Sequence, residues 1–197
     1  MRKLLIFFIL FIFSMVSFSG NEVEEYVLEQ HNKIFKFIND SENLLKEDRI
    51  KFLDGLEDAL KDLIISKEIS KRVLGKKNYT IATKKQKNDF DLKFKNTLFD
   101  TYSTALVEID KAKIIIDSHI HPNERLDLAI VKMSVSVSDT EFDLIYKMKK
   151  IEGKWRVIGI ILDGIDLIAI FRKQFNKLLV DFDGNFDLAI QNWELDS

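Results

Sequence analysis

The sequence predicts an α+β fold, in which a curved antiparallel sheet of about four strands is wrapped by helices. Apolar residues recur every three or four positions up to about residue 109, as expected for amphipathic helices. From Lys113 to about residue 163 the period changes to two, and two further helical segments follow. With 197 residues and 46% apolar content, the chain has enough material for one domain with a sizeable core.

The first 19 residues have the pattern of a secretory signal peptide. Arg2 and Lys3 precede an apolar run over residues 4–18, and Ser17 and Ser19 supply small residues at a cleavage site. A membrane anchor is the competing interpretation, but a run of about 15 residues is shorter than the roughly 20 that a bilayer requires. We therefore expect residues 1–19 to be removed on export and residues 20–197 to form the mature domain.

The composition narrows the compartment and the class of function. The chain has no cysteine, which excludes disulfides, thiol catalysis and a lipid-modified cysteine. An exported domain without disulfides or an anchor is typical of a bacterial periplasm. The formal charge is -2, so neither charge nor location favours binding to nucleic acid.

The first half of the chain predicts helices with identifiable ends. Short polar side chains at residues 39–41 predict a break between two helices, and Gly75 is suited to the position just beyond a helix end. Thr83 and Gln86 have the spacing of a capping box, so a helix should begin there and run to about residue 109. Its apolar stripe is interpreted either as ordinary core or as one wall of a cavity, and it consists of Phe90, Phe94, Leu98, Tyr102 and Leu106.

The second half predicts an antiparallel meander followed by two helices. The strands are expected at about residues 113–121, 126–137, 141–150 and 154–163, and the helices at about residues 166–180 and 185–195. In the last strand, simple alternation places Val157 and Ile161 on one face and Ile158, Ile160 and Leu162 on the other. Both of its faces should therefore be covered.

Several patterns that could carry chemistry are set aside. His119 and His121 share one face of a strand, but no third metal ligand is close in sequence, so we expect no metal site. His31 stands alone among helical residues and is interpreted as a surface or boundary side chain. Asp166 is interpreted as a helix cap rather than as half of a carboxylate pair with Asp163. The chain has no nucleophile elbow or phosphate-binding glycine loop, and we expect it not to be an enzyme.

Two spaced signatures resemble those of one protein family. The first is Val73, Leu74 and Gly75, followed by Tyr79, Thr83, Gln86 and the apolar stripe beginning at Phe90; the second is Gly153, Lys154, Trp155, Arg156 and Val157, then residues 162–168, Phe171, Arg172, Gln174 and Phe175. Together they resemble the MlaC family, the periplasmic phospholipid-binding auxiliary components of a bacterial ABC-transport system that maintains outer-membrane lipid asymmetry.

The resemblance implies a fold, a ligand and partners. The fold would be a cone like that of nuclear transport factor, whose apolar cavity takes the acyl chains of a phospholipid while the headgroup stays near solvent. Phospholipid would be the ligand, and no cofactor is implied. The partners would be an inner-membrane ABC-transporter complex with an MCE-domain subunit and an outer-membrane lipoprotein–porin complex, between which the protein carries lipid.

The candidate site consists of apolar residues on the inward faces of the sheet and of two helices. The expected lipid-lining residues are Val131, Met133, Val135, Leu144, Tyr146, Val157, Ile161, Phe171 and Phe175. Residues 69–88 carry seven basic and no acidic residues, and this stretch is either a solvated face or a surface for a partner or headgroup through Lys76, Lys77, Lys84 and Lys85. Binding of another hydrophobic molecule, such as an organic solvent or a sterol-like compound, and a structural adaptor with a filled core remain alternatives.

Overall fold

The computed structural model describes residues 22–108 and 112–194, so the predicted signal peptide lies outside the described residues. The first part is helical, with α1 at Glu22–Asp40, α2 at Glu42–Glu47, α3 at Arg49–Leu60, α4 at Ser66–Ile81 and α5 at Lys84–Glu108. The predicted break near residue 40 is present. A second break follows at Asp48, whose carboxylate accepts a hydrogen bond from the Lys51 amide at 3.1 Å and so caps α3.

One local signal in this helical half acts as the sequence predicts, and a second, Gly75, lies at a kink within a helix and not just beyond a helix end. The Gln86 amide donates to the Thr83 hydroxyl at 3.2 Å, and the Thr83 amide donates to the Gln86 side-chain oxygen at 3.0 Å, which completes the capping box of α5. Gly75 has a φ of 74° and a ψ of 164°, and it interrupts α4 with a kink. That backbone conformation is essentially restricted to glycine, because any Cβ would be strained there.

The sheet is an antiparallel meander with the strand order β1-β2-β3-β4-β5. Its strands are β1 at Lys113–Ile120, β2 at Leu128–Val137, β3 at Thr140–Ile151, β4 at Lys154–Leu162 and β5 at Ile165–Asp166. The four predicted strands are confirmed, and the fifth adds only two residues. Both β1 and β4 contain a register shift against their neighbours, and such bulges increase the bend and twist of a sheet.

Two helices close the chain, α6 at Leu167–Asp181 and α7 at Phe186–Gln191. Asp166 caps α6 by accepting from the Ala169 amide at 3.1 Å, as the sequence predicts, and Asn185 caps α7 by accepting from the Leu188 amide at 3.1 Å. No helix within residues 22–108 and 112–194 combines the length and the apolar character that crossing a membrane demands.

The buried side chains form two clusters. The sheet-side core joins α1 and α3 to the inner face of the sheet and includes Val27, Ile38, Phe52, Leu56, Val131, Met133, Met148, Trp155 and Val157. The helix-side core joins α4, α5, α6 and the segment after α7, and includes Val73, Phe90, Phe94, Phe171, Phe175 and Trp193. Aromatic rings dominate the second core, where the Phe90 and Phe175 centroids are 4.7 Å apart. Partly buried Ile64 packs against both cores.

Candidate ligand-binding groove

A groove of about 550 Å³ lies where the two cores meet. The end of α3, the start of α4, the middle of α5, the start of α6 and strands β3 and β4 all contribute to it. Its walls are predominantly apolar, with side chains from Leu60, Ile64, Ile69, Phe94, Leu98, Phe99, Tyr146, Ile160, Ile168 and Phe171. This volume is within the range of about 300–1,000 Å³ that is typical of small-molecule sites.

The groove exists because neither core fills the space between them. On one side, Leu60, Phe99 and Ile160 pack against the sheet-side core. On the other, Phe94 and Phe171 belong to the helix-side core, and their ring centroids lie 5.7 Å apart. Each wall is therefore supported from behind by packed side chains, which hold the apolar lining in place.

Charged groups at the groove pair with each other. Lys95 places its amine 2.8 Å from a carboxylate oxygen of Glu57, and its side chain is 26% exposed. Ser66 donates its hydroxyl to Asp91 at 2.5 Å. Because Lys95 is paired with Glu57 and Lys61 is paired with Asp58, the groove offers mainly hydrocarbon contact to a ligand.

One polar pair is buried against the wall of the groove. His31 on α1 and Tyr146 on β3 are 6% and 8% exposed, and the imidazole Nε2 lies 3.1 Å from the tyrosine hydroxyl. Burial lowers the pKa of His31 from 6.5 to about 4, and burial also raises the pKa of Tyr146 above its ordinary value. The pair is therefore neutral at neutral pH. The interpretation of His31 as a surface or boundary residue is wrong, because Tyr146 gives the isolated histidine a buried partner.

The last strand of the meander departs from simple alternation. Lys147 pairs with Gly159 while the next residue, Met148, pairs with Val157, so β4 contains one extra residue. This bulge places Ile160 opposite Tyr146 and Ile161 opposite Ile145. The prediction that Val157 and Ile161 share a face is wrong for this reason. Ile160, not Ile161, projects into the groove.

Two of the nine predicted lining residues lie at the groove, and the other seven do not. Tyr146 and Phe171 line the groove. The rest of the set packs elsewhere: Val131, Met133 and Val157 lie in the sheet-side core with Leu144 at its margin, Phe175 lies in the helix-side core, and Val135 is buried on the inner face of β2.

The apolar stripe of α5 contributes both to the helix-side core and to the groove. Phe90 is fully buried in the helix-side core, whereas Phe94, Leu98 and Tyr102 line the groove. The side chain of Leu106 lies outside the described residues. Four lining residues that sequence reasoning missed come from the connection between α3 and α4 and from the start of α6, namely Ile64, Ile65, Leu167 and Ile168.

The four candidate lysines lie on two consecutive helices, α4 and α5. Lys76 and Lys77 border a depression of mixed polar and apolar lining together with Gly75 and Arg172, whose guanidinium donates to the Arg72 carbonyl at 2.6 Å. Lys84 and Lys85 lie in the first turn of α5, where the Lys85 amine is 2.5 Å from a carboxylate oxygen of Asp89, its i,i+4 partner on the same helix. All four lysines are exposed, and we refer to them together as the basic surface.

His119 and His121 have partners other than a metal. The His119 Nδ1 lies 2.5 Å from a carboxylate oxygen of Glu24, and the His121 Nδ1 donates to the Leu128 carbonyl at 2.6 Å. Among the described residues, no group of three histidine, cysteine, aspartate or glutamate side chains is arranged to hold a metal ion.

A family model, a related sequence and a solved structure are similar to this chain. The model of the MlaC protein family matches residues 29–194. The toluene tolerance protein ttg2D of Pseudomonas putida is 27% identical over 145 residues, a match that spans 72% of this chain and 66% of that protein. A phospholipid-binding protein from Ralstonia solanacearum, solved in complex with a phospholipid, shares the fold with a TM-score of 0.75 at 19% identity, over 85% of this chain and 92% of that one. The chain belongs to the MlaC family.

Proposed function

We propose that this chain is a periplasmic phospholipid carrier whose groove shields the acyl chains of its cargo. The observation that carries the proposal is the apolar groove of about 550 Å³ between the two cores. The Ralstonia solanacearum protein of the same fold binds a phospholipid, and the relationship to the MlaC family supports the same ligand class here.

The energetics of the groove suit hydrocarbon chains. Each methylene removed from water contributes about 0.8 kcal/mol, so burying about ten methylenes contributes roughly 8 kcal/mol. A free energy of that size corresponds to a dissociation constant of about 1 μM. Affinity therefore needs no strong polar contact, and Tyr146 and Phe171 are the members of the predicted set that we propose contact the lipid directly.

Adjacent isoleucines on β4 provide a matched test of the groove. Ile160→Trp puts a large ring into the groove, whereas Ile161→Trp puts the same ring on the opposite face of the sheet. We expect the Ile160 variant to lose most of its co-purified phospholipid, because the ring occupies the space of the acyl chains. The Ile161 variant should keep it. Phosphorus content per mole of purified protein measures the difference.

Thermal melting of the two delipidated variants separates a blocked groove from a damaged core. Overpacking a filled core costs about 1–3 kcal/mol, so a strong fall in melting temperature with lipid still bound to the Ile160 variant would support the adaptor with a filled core. Loss of the same amount of lipid from both variants would contradict the location of the site. A bound organic molecule other than phospholipid would support the alternative hydrophobic ligand.

The same proposal extends to location and partners. Residues 1–19 would direct export and be removed, and an intact mass that retains Met1 in the periplasmic fraction would contradict this. Membership of the MlaC family supports transfer of lipid between an inner-membrane ABC-transporter complex with an MCE-domain subunit and an outer-membrane lipoprotein–porin complex. The basic surface (Lys76, Lys77, Lys84 and Lys85) would speed encounter with acidic surfaces of such partners.

A further inference from the structure

The buried pair of His31 and Tyr146 has one more hydrogen-bond donor than it can use internally. A neutral imidazole carries one N–H, and the tyrosine hydroxyl carries one O–H. The only hydrogen bond between the two residues joins Nε2 to the hydroxyl at 3.1 Å, and it accommodates one of these two hydrogens. The His31 Nδ1 is buried and has no partner among the described residues.

Both tautomers of His31 leave a hydrogen unsatisfied. If Nδ1 carries the proton, the tyrosine donates to Nε2 and a buried N–H has no acceptor. If Nε2 carries it, His31 donates to the tyrosine oxygen and the tyrosine O–H has no acceptor among the described residues. A buried donor without an acceptor is costly, so the pair gains stability from an acceptor supplied from outside it.

A ligand in the groove meets this pair through Tyr146, which is one of the lining residues. When Nε2 of His31 carries the proton, the donor without an acceptor is the hydroxyl of Tyr146. Tyr146 lines the groove and His31 does not, so this tautomer leaves the free donor on the residue that a ligand contacts. The surrounding wall is apolar, with Ile160 opposite Tyr146 on the neighbouring strand and Phe99 packed against the same core. An ionised acceptor is disfavoured against such a wall, whereas a neutral carbonyl oxygen is accommodated at much lower cost.

We propose that Tyr146, oriented by His31, donates a hydrogen bond to an ester carbonyl of the bound lipid and thereby selects ester-linked over ether-linked chains. The proposal rests on the proposed function and adds a specificity-determining residue to it. An ether linkage retains the hydrocarbon chains but lacks the carbonyl acceptor. The two lipid classes therefore differ in the one group that Tyr146 is proposed to recognise.

Competition between two matched lipids tests this directly. The delipidated full-length mature protein is incubated with vesicles that contain equal amounts of diacyl phosphatidylglycerol and its dialkyl ether analogue of the same chain length. Native mass spectrometry then gives the ratio of the two complexes. We expect the wild-type protein to favour the diester lipid by about threefold to tenfold, the range that one net hydrogen bond provides.

Two variants assign the preference to the hydroxyl. Tyr146→Phe removes the donor and should bring the ratio close to one, while Phe171→Leu changes an apolar part of the wall and should weaken both lipids but keep the ratio. Equal binding of both lipids by the wild-type protein would overturn the proposal, whether or not the variants fold. A preference that survives in Tyr146→Phe would also overturn it. If neither lipid binds the wild-type protein, the proposed function itself fails.

Discussion

Replacing the buried histidine should flatten the pH dependence of stability. His31 is neutral in the folded protein because burial lowers its pKa from 6.5 to about 4. Between these two pH values the unfolded chain binds a proton that the folded protein does not, so the free energy of unfolding falls as pH falls through this window. His31→Phe removes the titrating group and keeps an aromatic ring beside Phe35, whose ring is 6.0 Å from His31.

The size of the effect follows from the same pKa values. A shift of one pKa unit corresponds to about 1.36 kcal/mol. Because the pKa of His31 falls from 6.5 to about 4, its protonation in the unfolded chain can lower the free energy of unfolding by at most roughly 3 kcal/mol. At pH 5 the unfolded histidine is almost fully protonated and the folded one is not, and about 2 kcal/mol of this should already be lost. Stopping at pH 5 keeps most carboxylates ionised.

Urea denaturation of the delipidated protein between pH 8 and pH 5, at constant ionic strength, measures this difference. The wild-type protein should lose about 2 kcal/mol more than His31→Phe over this range. The other two histidines are present in both proteins, so their contributions cancel in the comparison. Parallel pH profiles for the two proteins would refute a buried neutral His31, even if the variant is less stable at every pH.

Two further predictions concern the helical layer. Gly75→Ala should lower the free energy of unfolding by about 1–3 kcal/mol, because Gly75 has a positive φ. Urea denaturation measures this, with Lys77→Ala at an exposed neighbouring position as the control. Equal stability of the two variants would contradict the kink. Reversing the basic surface to glutamate should slow lipid transfer between donor and acceptor membranes at low salt while leaving lipid content unchanged. As a control, four exposed lysines elsewhere are reversed to glutamate, namely Lys46, Lys51, Lys113 and Lys132. If the control slows transfer as much as reversal of Lys76, Lys77, Lys84 and Lys85 does, only the net charge matters.

Local chemistry made much of the fold predictable. The reciprocal hydrogen bonds of Thr83 and Gln86 begin α5 where the spacing indicates, and the alternation in the second half gives the four main strands. Asp166 caps α6 as expected. Each of these features depends on residues close together in sequence, which is why a single sequence is sufficient to place them.

The groove was less predictable because it depends on contacts between distant segments. The bulge in β4 lies within a run of six residues, from Val157 to Leu162, that are apolar apart from Gly159, so alternation gives no sign of the shift that exchanges Ile160 for Ile161. Ile64 enters the groove from a connection without regular periodicity. His31 and Tyr146 are 115 residues apart, and only the tertiary fold makes them partners.

Native mass spectrometry of the mature protein, purified from the periplasm without detergent, tests the central claim most directly. The groove of about 550 Å³ should retain its cargo through purification, so the spectrum should contain a species heavier than the polypeptide by the mass of one phospholipid. The Ile160→Trp protein should give mainly the mass of the polypeptide. A wild-type spectrum that contains only the ligand-free polypeptide, from cells with normal phospholipid, would contradict the carrier function.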